Sequence, residues 1–305
     1  MAKSKPVNIS PFRHLYPFKS HFMDIDGFKY HYVDEGAGPP VIMVHGNPTW
    51  SFYYRRLIQD LSPRFRTIAV DHIGCGLSDK PAADHYDYTL ERRVDDFESF
   101  ISRLELNDKI TLVLHDWGGM IGVAYALRNL DRIGKIILLN TVAFLKPAGS
   151  SLPLRLKLIR HFKPFAALAV LGFNAFARSA LFMATAKGLP EDVRSGLIAP
   201  YNCWQHRIAT LKFVENIPLK PEDPSFETVK TVQDQLHRLK NVPMLICWGM
   251  QDFVFSRTYL DEWRRRFPDA QVHTFEDAGH YVLEDAAEPV IDRINDFMLN
   301  DKLKQ

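Results

Sequence analysis

The sequence predicts an α/β protein, with a mainly parallel central sheet flanked by helices and interrupted by an inserted helical cap. Three observations carry that prediction. Short, continuous apolar runs recur between helix-length patterns, as in VIMVH (41–45), TIAVD (67–71), ITLVLH (110–115) and KIILLN (135–140), and strands buried on both faces read this way. The strand signals stop between about Phe144 and Gln235 and resume at PMLICWG (243–249). The run ITLVLH also breaks sharply at His115-Asp116-Trp117-Gly118-Gly119 and continues as an apolar helix.

Taken in order, SHFMDI and FKYHYVDEG are two β-rich runs separated by Asp26-Gly27, a strong hairpin signal. VIMVH then precedes a helical WSFYYRRLIQDL. TIAVD leads through a Gly-rich loop to the amphipathic TLERRVDDFESFISRL. ITLVLH, the sharp turn and its helix come next, followed by KIILLN. The middle of the chain shows helical patterns cut by Pro164, Pro190, Pro200, Pro218, Pro221 and Pro224, as expected of a cap built from short helices. PMLICWG, a helix through YLDEWRRRF, the strand QVHTF (271–275) and a last helix near PVIDRINDFML complete the chain. The expected organisation is a core of residues 1–143 and 236–305 with a cap of residues 144–235.

Composition narrows the function classes. The 305 residues carry 38 Lys and Arg against 36 Asp and Glu, a balance that argues for neither nucleic acid nor an acidic partner. Cys75, Cys203 and Cys247 are too few and too scattered for a disulfide framework or a metal set, so a reducing, cytoplasmic setting is expected, with no metal and no cofactor. The basic N-terminal stretch MAKSKPVNISPFRHLYPFK lacks the apolar centre of a signal peptide. The run FAALAVLGFNAFARSALFMATA (165–186) is long enough to raise the question of a membrane span. It contains Asn174 and Arg178, and we read it as buried or substrate-facing helix. Residues 152–186, rich in Leu, Phe and Ala, fit either an alkyl tunnel or packing of the cap on the core.

Three chemically capable residues fall at the carboxyl ends of expected strands, the edge where open α/β sheets place ligands. Asp116 follows ITLVLH, Asp252 follows PMLICWGMQ, and His280 follows QVHTFEDAG. Alone, each has a plain structural use, such as capping a helix or filling a loop. Together they give the order nucleophile, acid, histidine of the α/β-hydrolase triad. A Ser usually occupies the elbow; here Asp116 stands there, with Leu114 in place of the first Gly of G-x-S-x-G. A carboxylate has a distinct use. Attack by Ser on saturated carbon leaves an ether that water does not readily open. Attack by a carboxylate leaves an alkyl ester, which can be cleaved or can depart again as carboxylate. With an ordinary pKa of about 3.9, Asp is ionised at neutral pH and needs no base for that step. In a hydrolytic version His280 would activate water, with Asp252 fixing its tautomer. The N–H groups of Asn47 and Trp117 would bind an oxyanion. The Asn47 amide and the Trp117 indole are further donors, to a leaving group; the plainer use is that Trp117 packs beneath the cap and Asn47 shapes the turn before Pro48.

HGNPTWSFYYR, HDWGG, WGMQDFVF and DAGHYVLED resemble the haloalkane-dehalogenase branch of the α/β-hydrolase fold. That resemblance implies Asp116 as nucleophile, His280 as base, Asp252 as its partner, and Asn47 and Trp117 as halide donors. A subgroup with its acid one strand earlier would need a carboxylate where this chain has Asn140. Over nearly the whole chain, LYPFKSHFMDIDGFKYHYVDEG, DHIGCGLSDKP, YDYTLERRVDDFE, FNAFAR, APYNCWQHRIATLKFVENIPLKPEDPS and WRRRFPDAQVHTFEDAGHYVLEDA resemble the β-lactone decarboxylases of bacterial long-chain olefin biosynthesis. This resemblance implies a carbon–carbon lyase acting on a lactone with two long alkyl arms, releasing a cis-alkene and carbon dioxide. It also implies assembly with the lactone-forming and reducing enzymes of that pathway, near membranes. Asp116 would attack either the ring carbon bearing oxygen or the lactone carbonyl. Neither route consumes water, which leaves the role of His280 open.

Three rivals remain at this level. A haloalkane dehalogenase would share every residue named. An epoxide hydrolase would need cap tyrosines, of which Tyr201 is the obvious one. A non-catalytic lipid-binding protein on the same fold would need none of the intact triad.

Overall fold

The computed structural model describes residues 6–299. The first five residues of the basic N-terminal stretch therefore lie outside the described residues. Eight strands form one sheet in the order β1-β2-β4-β3-β5-β6-β7-β8. The hairpin of β1 (Ser20–Ile25) and β2 (Phe28–Glu35) turns at Asp26-Gly27, both with positive φ. It joins antiparallel to β4 (Arg66–Val70). From there β3 (Pro40–Val44), β5 (Ile110–Asp116), β6 (Ile133–Thr141), β7 (Met244–Gly249) and β8 (Gln271–Phe275) run parallel.

The two-sided burial expected from continuous apolar runs is realised by alternation. Ile42, Val44, Leu112 and Leu114 point into one apolar layer, and Val41, Met43 and Val113 into the other. Removing such side chains from water is worth roughly 1.5–3 kcal/mol each. The stretch read as one helix from Trp50 begins as a 3-10 turn, Ser51–Tyr54, and becomes α1 at Arg55–Leu61. Thr89 caps α2 (Leu90–Ser102) by accepting the Arg92 N–H, and α3 (Trp117–Arg128) follows β5 without a loop.

Between β6 and β7 no strand occurs among the described residues. That span holds α4 (Leu154–His161), α5 (Lys163–Ala166) continued by a π-helical turn to Gly172, α6 (Ala175–Met183), α7 (Glu191–Ile198), α8 (Ile208–Glu215) and α9 (Phe226–Gln235). Val229 and Val232 of α9 join the same apolar layer as α3. After β7 come α10 (Arg257–Arg266), α11 (Val282–Asp285) and α12 (Ala287–Leu299).

The apolar run at 165–186 is not one helix. It bends by 72° between Lys163–Gly172 and Ala175–Met183, where Asn174 takes a left-handed conformation with φ 55°. The expectation of a buried or substrate-facing helix fits Val170, Leu171, Ala177, Ala180 and Leu181, which are buried, and Phe165, which lines a cavity, whereas Leu168, Phe173 and Phe182 are exposed. Two short helices at a steep angle cannot both lay every face on the core, which is why the apolar composition misled. Among the described residues no single helix is long and apolar enough to cross a membrane.

Candidate active site

The junction of β5 and α3 is a strained elbow. Asp116 has φ 51° and ψ −126°, outside the regions open to most L-residues. The turn is tight because small residues let the chain pass close by. A Cβ on Gly118 would sit 2.0 Å from the Val44 carbonyl oxygen, and one on Gly46 would sit 2.0 Å from Asp116 Oδ1. The Thr141 hydroxyl donates to the Asp116 carbonyl and ties the elbow to β6.

The structure brings together all five residues singled out by sequence. Asp116, Asn47, Trp117 and His280 line one cavity of about 410 Å³, and Asp252 lies behind His280. Asp116 Oδ1 accepts the Asn47 N–H at 2.7 Å, and the Trp117 backbone N–H favours the charged form of the same carboxyl. Asp116 Oδ2 lies 3.6 Å from His280 Nε2. His280 Nδ1 is 2.8 Å from Asp252 Oδ2. The Asn47 side-chain amide donates to the Thr210 carbonyl of α8 at 3.1 Å, which uses one of its two N–H groups and joins the loop after β3 to α8. The Trp117 indole packs on Phe213 of α8, with ring centroids 5.3 Å apart. The remaining walls are mostly apolar, including Met120, Val142, Leu156, Phe176, Phe255 and Tyr281.

Electrostatics follow from burial and pairing. Burial pushes the Asp116 carboxyl above its ordinary value, against the pull of His280 and of the two backbone donors. Burial alone would push His280 down. Asp252, its hydrogen bond and Asp116 together outweigh that, so the imidazolium is favoured and its pKa rises. Asp252 is fully engaged, since Oδ1 accepts the N–H groups of Val254 at 2.6 Å and Phe255 at 3.0 Å.

Sequence reasoning passed over one participant. By sequence Asn140 is only a position lacking a carboxylate, yet its Nδ2 donates to Asp252 Oδ2 at 3.0 Å. Its amide also clamps Gly249 at the end of β7, through both the carbonyl and the N–H. The pairing of β5 with β6 skips at this point, from His115–Leu139 to Asp116–Thr141. Asn140 is left as a bulge with φ 38°, a device that re-aims a side chain. The local signal was the sequence LNT closing a strand.

His115, beside the elbow, is fully buried and its Nε2 bonds the His280 carbonyl at 3.0 Å. Burial and the charge of His280 push its pKa down, so it stays neutral. Cys75 is buried as well, and burial pushes its thiol up to about 11. Tyr201, the obvious tyrosine for epoxide chemistry, is buried outside the cavity lining, with its hydroxyl 3.4 Å from the Thr49 carbonyl.

Comparison with known proteins agrees with this geometry. Residues 39–287 match the family model described as alpha/beta hydrolase fold. The chain is 49% identical to a cis-3-alkyl-4-alkyloxetan-2-one decarboxylase of Shewanella oneidensis, over 93% of this chain and 89% of that one. It is 38% identical to the enzyme of the same name from Xanthomonas campestris pv. campestris, over 93% and 97%. It is 31% identical to haloalkane dehalogenase 2 of Mycobacterium tuberculosis, over 93% and 96%. The crystal structure of haloalkane dehalogenase DatA from Agrobacterium tumefaciens C58 shares the fold, with a TM-score of 0.82 at 24% identity, covering 92% of this chain and 96% of that one. The chain belongs to the α/β hydrolase fold family, in the group it shares with the cis-3-alkyl-4-alkyloxetan-2-one decarboxylases.

Proposed function

We propose that this chain decarboxylates cis-dialkyl β-lactones to cis-alkenes and carbon dioxide, with Asp116 as nucleophile. The observation that carries the reading is identity of 49% with a cis-3-alkyl-4-alkyloxetan-2-one decarboxylase across 93% of the chain. That span includes the helices between β6 and β7. A buried carboxylate facing a largely apolar cavity supports it. In this reading residues 144–235 form the cap that holds the alkyl arms, and the enzyme works beside those that make the lactone, in an assembly near membranes.

The route through the ring carbon accounts for the alkene geometry. Asp116 Oδ2 attacks the carbon bearing the ring oxygen, the C–O bond breaks, and its electron pair leaves as the substrate carboxylate. Inversion at that carbon sets the new Asp–O bond anti to the carboxylate. The bond to the carboxyl group then breaks, its electrons form the double bond, and Asp116 departs as carboxylate with carbon dioxide. Inversion followed by anti elimination keeps the two arms cis. Attack at the carbonyl would instead give a mixed anhydride with no carboxylate free to leave. Asn47 and Trp117 would donate to the carboxylate released from the ring, and His280, held by Asp252, would balance the charge on Asp116 without serving as a base.

The test supplies purified protein with a cis-dialkyl β-lactone or a 1-bromoalkane, and reads alkene by gas chromatography and bromide in solution. Cis-alkene with little bromide is expected. Prompt bromide and alcohol, with the lactone untouched or hydrolysed, would make the protein a haloalkane dehalogenase. That second reading draws on the placement of Asn47 and Trp117 at the cavity, where a halide would need donors.

A further inference from the structure

The cap carries an exposed apolar stripe that the cavity does not use up. Leu154 and Leu158 share one side of α4, Phe162 sits at the break between α4 and α5, and Phe165 and Leu168 share one side of the helix that follows. All are exposed, from 40% for Leu158 to 70% for Leu154, and Phe173 continues the stripe at the bend. Trp204 lies half-exposed beside Gly172. Ordinary protein surfaces scatter such residues singly, and a contiguous set marks a docking face.

Charge says what the face meets. Residues 146–190 contain seven Lys and Arg and no Asp or Glu, leaving 31 basic against 36 acidic residues in the rest of the chain. Arg155, Lys157, Lys163 and Arg178 are exposed, and none of the four forms an ion pair with a carboxylate among the described residues. A protein partner would answer such cations at fixed points. An anionic lipid surface answers all of them at once and takes the apolar side chains between them. The geometry suits lying on a bilayer rather than crossing it. Lys163–Gly172 and Ala175–Met183 bend by 72°, and each arm of about ten residues spans about 15 Å, half of a hydrocarbon core.

The face also adjoins the cavity. Leu158 and Phe165 line the cavity and are exposed at the same time, as is Phe253 in the segment after β7. We propose that the outer side of α4 to α6 docks on anionic lipid, so that the cavity mouth opens toward the bilayer and an alkyl substrate passes between them without crossing water. The docking itself needs no particular reaction; only its use in substrate delivery rests on the alkyl-lactone reading.

The test is flotation of the full chain with vesicles of phosphatidylcholine, alone or with about 30% phosphatidylglycerol. We expect binding to the anionic vesicles that falls at least tenfold in about 0.5 M salt, where the Debye length is only a few ångströms. A triple variant F162D/L168D/F173D, altered at three exposed positions outside the cavity lining, should lose vesicle binding at least tenfold. It should still turn over a short-chain, water-soluble lactone as the wild type does. Wild-type protein that stays unbound, or a triple variant that floats equally well, would overturn the proposal. So would a wild-type dimer that the triple variant abolishes, with no flotation of either, since a second copy would then cover the face. Flotation reads no turnover, so its failure and the failure of the decarboxylase assay are separate results.

Discussion

Replacing Asp252 by Asn separates the structural from the chemical use of the proposed triad. The carboxylate accepts four hydrogen bonds, from Val254 and Phe255 N–H at Oδ1, and from Asn140 Nδ2 and His280 Nδ1 at Oδ2. An amide has one acceptor oxygen. Oxygen placed at Oδ2 would point the new NH₂ at two backbone N–H groups, neither of which can rearrange. Oxygen at Oδ1 keeps those two bonds and sets the NH₂ against Asn140 and His280. His280 can respond by giving up its Nδ1 proton and keeping the one on Nε2, while the Asn140 donor loses its partner, so this orientation wins. One bond to a charged group is lost and the others become neutral. At about 1.5–3 kcal/mol for each bond to a charged group, the cost is about 3 kcal/mol, or roughly 6 °C in Tm for a chain of this size. His280 protonated at Nε2 cannot take a proton from water, so hydrolysis of a lactone or bromoalkane should fall about 10⁴-fold. Decarboxylation, which takes no proton, should change by less than about tenfold. Both rates are measured on one preparation well below its Tm, with the folded fraction read by circular dichroism. An equal 10⁴-fold loss of alkene formation in folded protein would refute the inference that His280 is not a base in that reaction. An unchanged Tm would refute the hydrogen-bond count.

Three further expectations follow from the same geometry. Asp116→Asn should abolish turnover yet raise stability by about 0.5–2 kcal/mol, because a carboxyl whose pKa is raised on folding costs stability as pH climbs past its unfolded value; calorimetry at pH 7 against pH 4 should show the gain shrinking at the lower pH. The decarboxylation rate should be lost on acidification at a pH above the ordinary carboxylate value of about 3.9, since burial raises Asp116. Above pH 6.5 the rate should not rise, as it would if the raised His280 had to lose its proton to act; a pH–rate profile on one lactone checks both. Arg55 of α1 grips Glu284 of α11 through two bonds of 2.6 and 2.8 Å, with both side chains almost fully buried. Arg55→Ala should therefore destabilise by about 3–5 kcal/mol, measured by urea unfolding, and an effect within 1 kcal/mol would show that the Glu is readily resolvated.

Much of this molecule is legible in its sequence because local chemistry decides it. Continuous apolar runs specify strands buried on both faces, Asp26-Gly27 specifies a hairpin, and Leu114–His115–Asp116–Trp117–Gly118 specifies an elbow through the small residue needed beside Val44. Chain order then places Asp116, Asp252 and His280 at one edge of a parallel sheet, because every such strand ends on the same side. The rest depends on elements that meet only in three dimensions. Asn140 reaches Asp252 through a one-residue bulge between β5 and β6, and no spacing along the chain encodes a bulge. His115 holds the His280 carbonyl from 165 residues away. The span between β6 and β7 shows the limit most plainly, for the apolar composition of residues 165–186 reads as buried or substrate-facing helix, whereas a 72° bend turns part of it to the cavity and part outward. Hydrophobicity says how much surface a segment would remove from water, but the angle between helices decides which face finds the protein interior and which is left for something else.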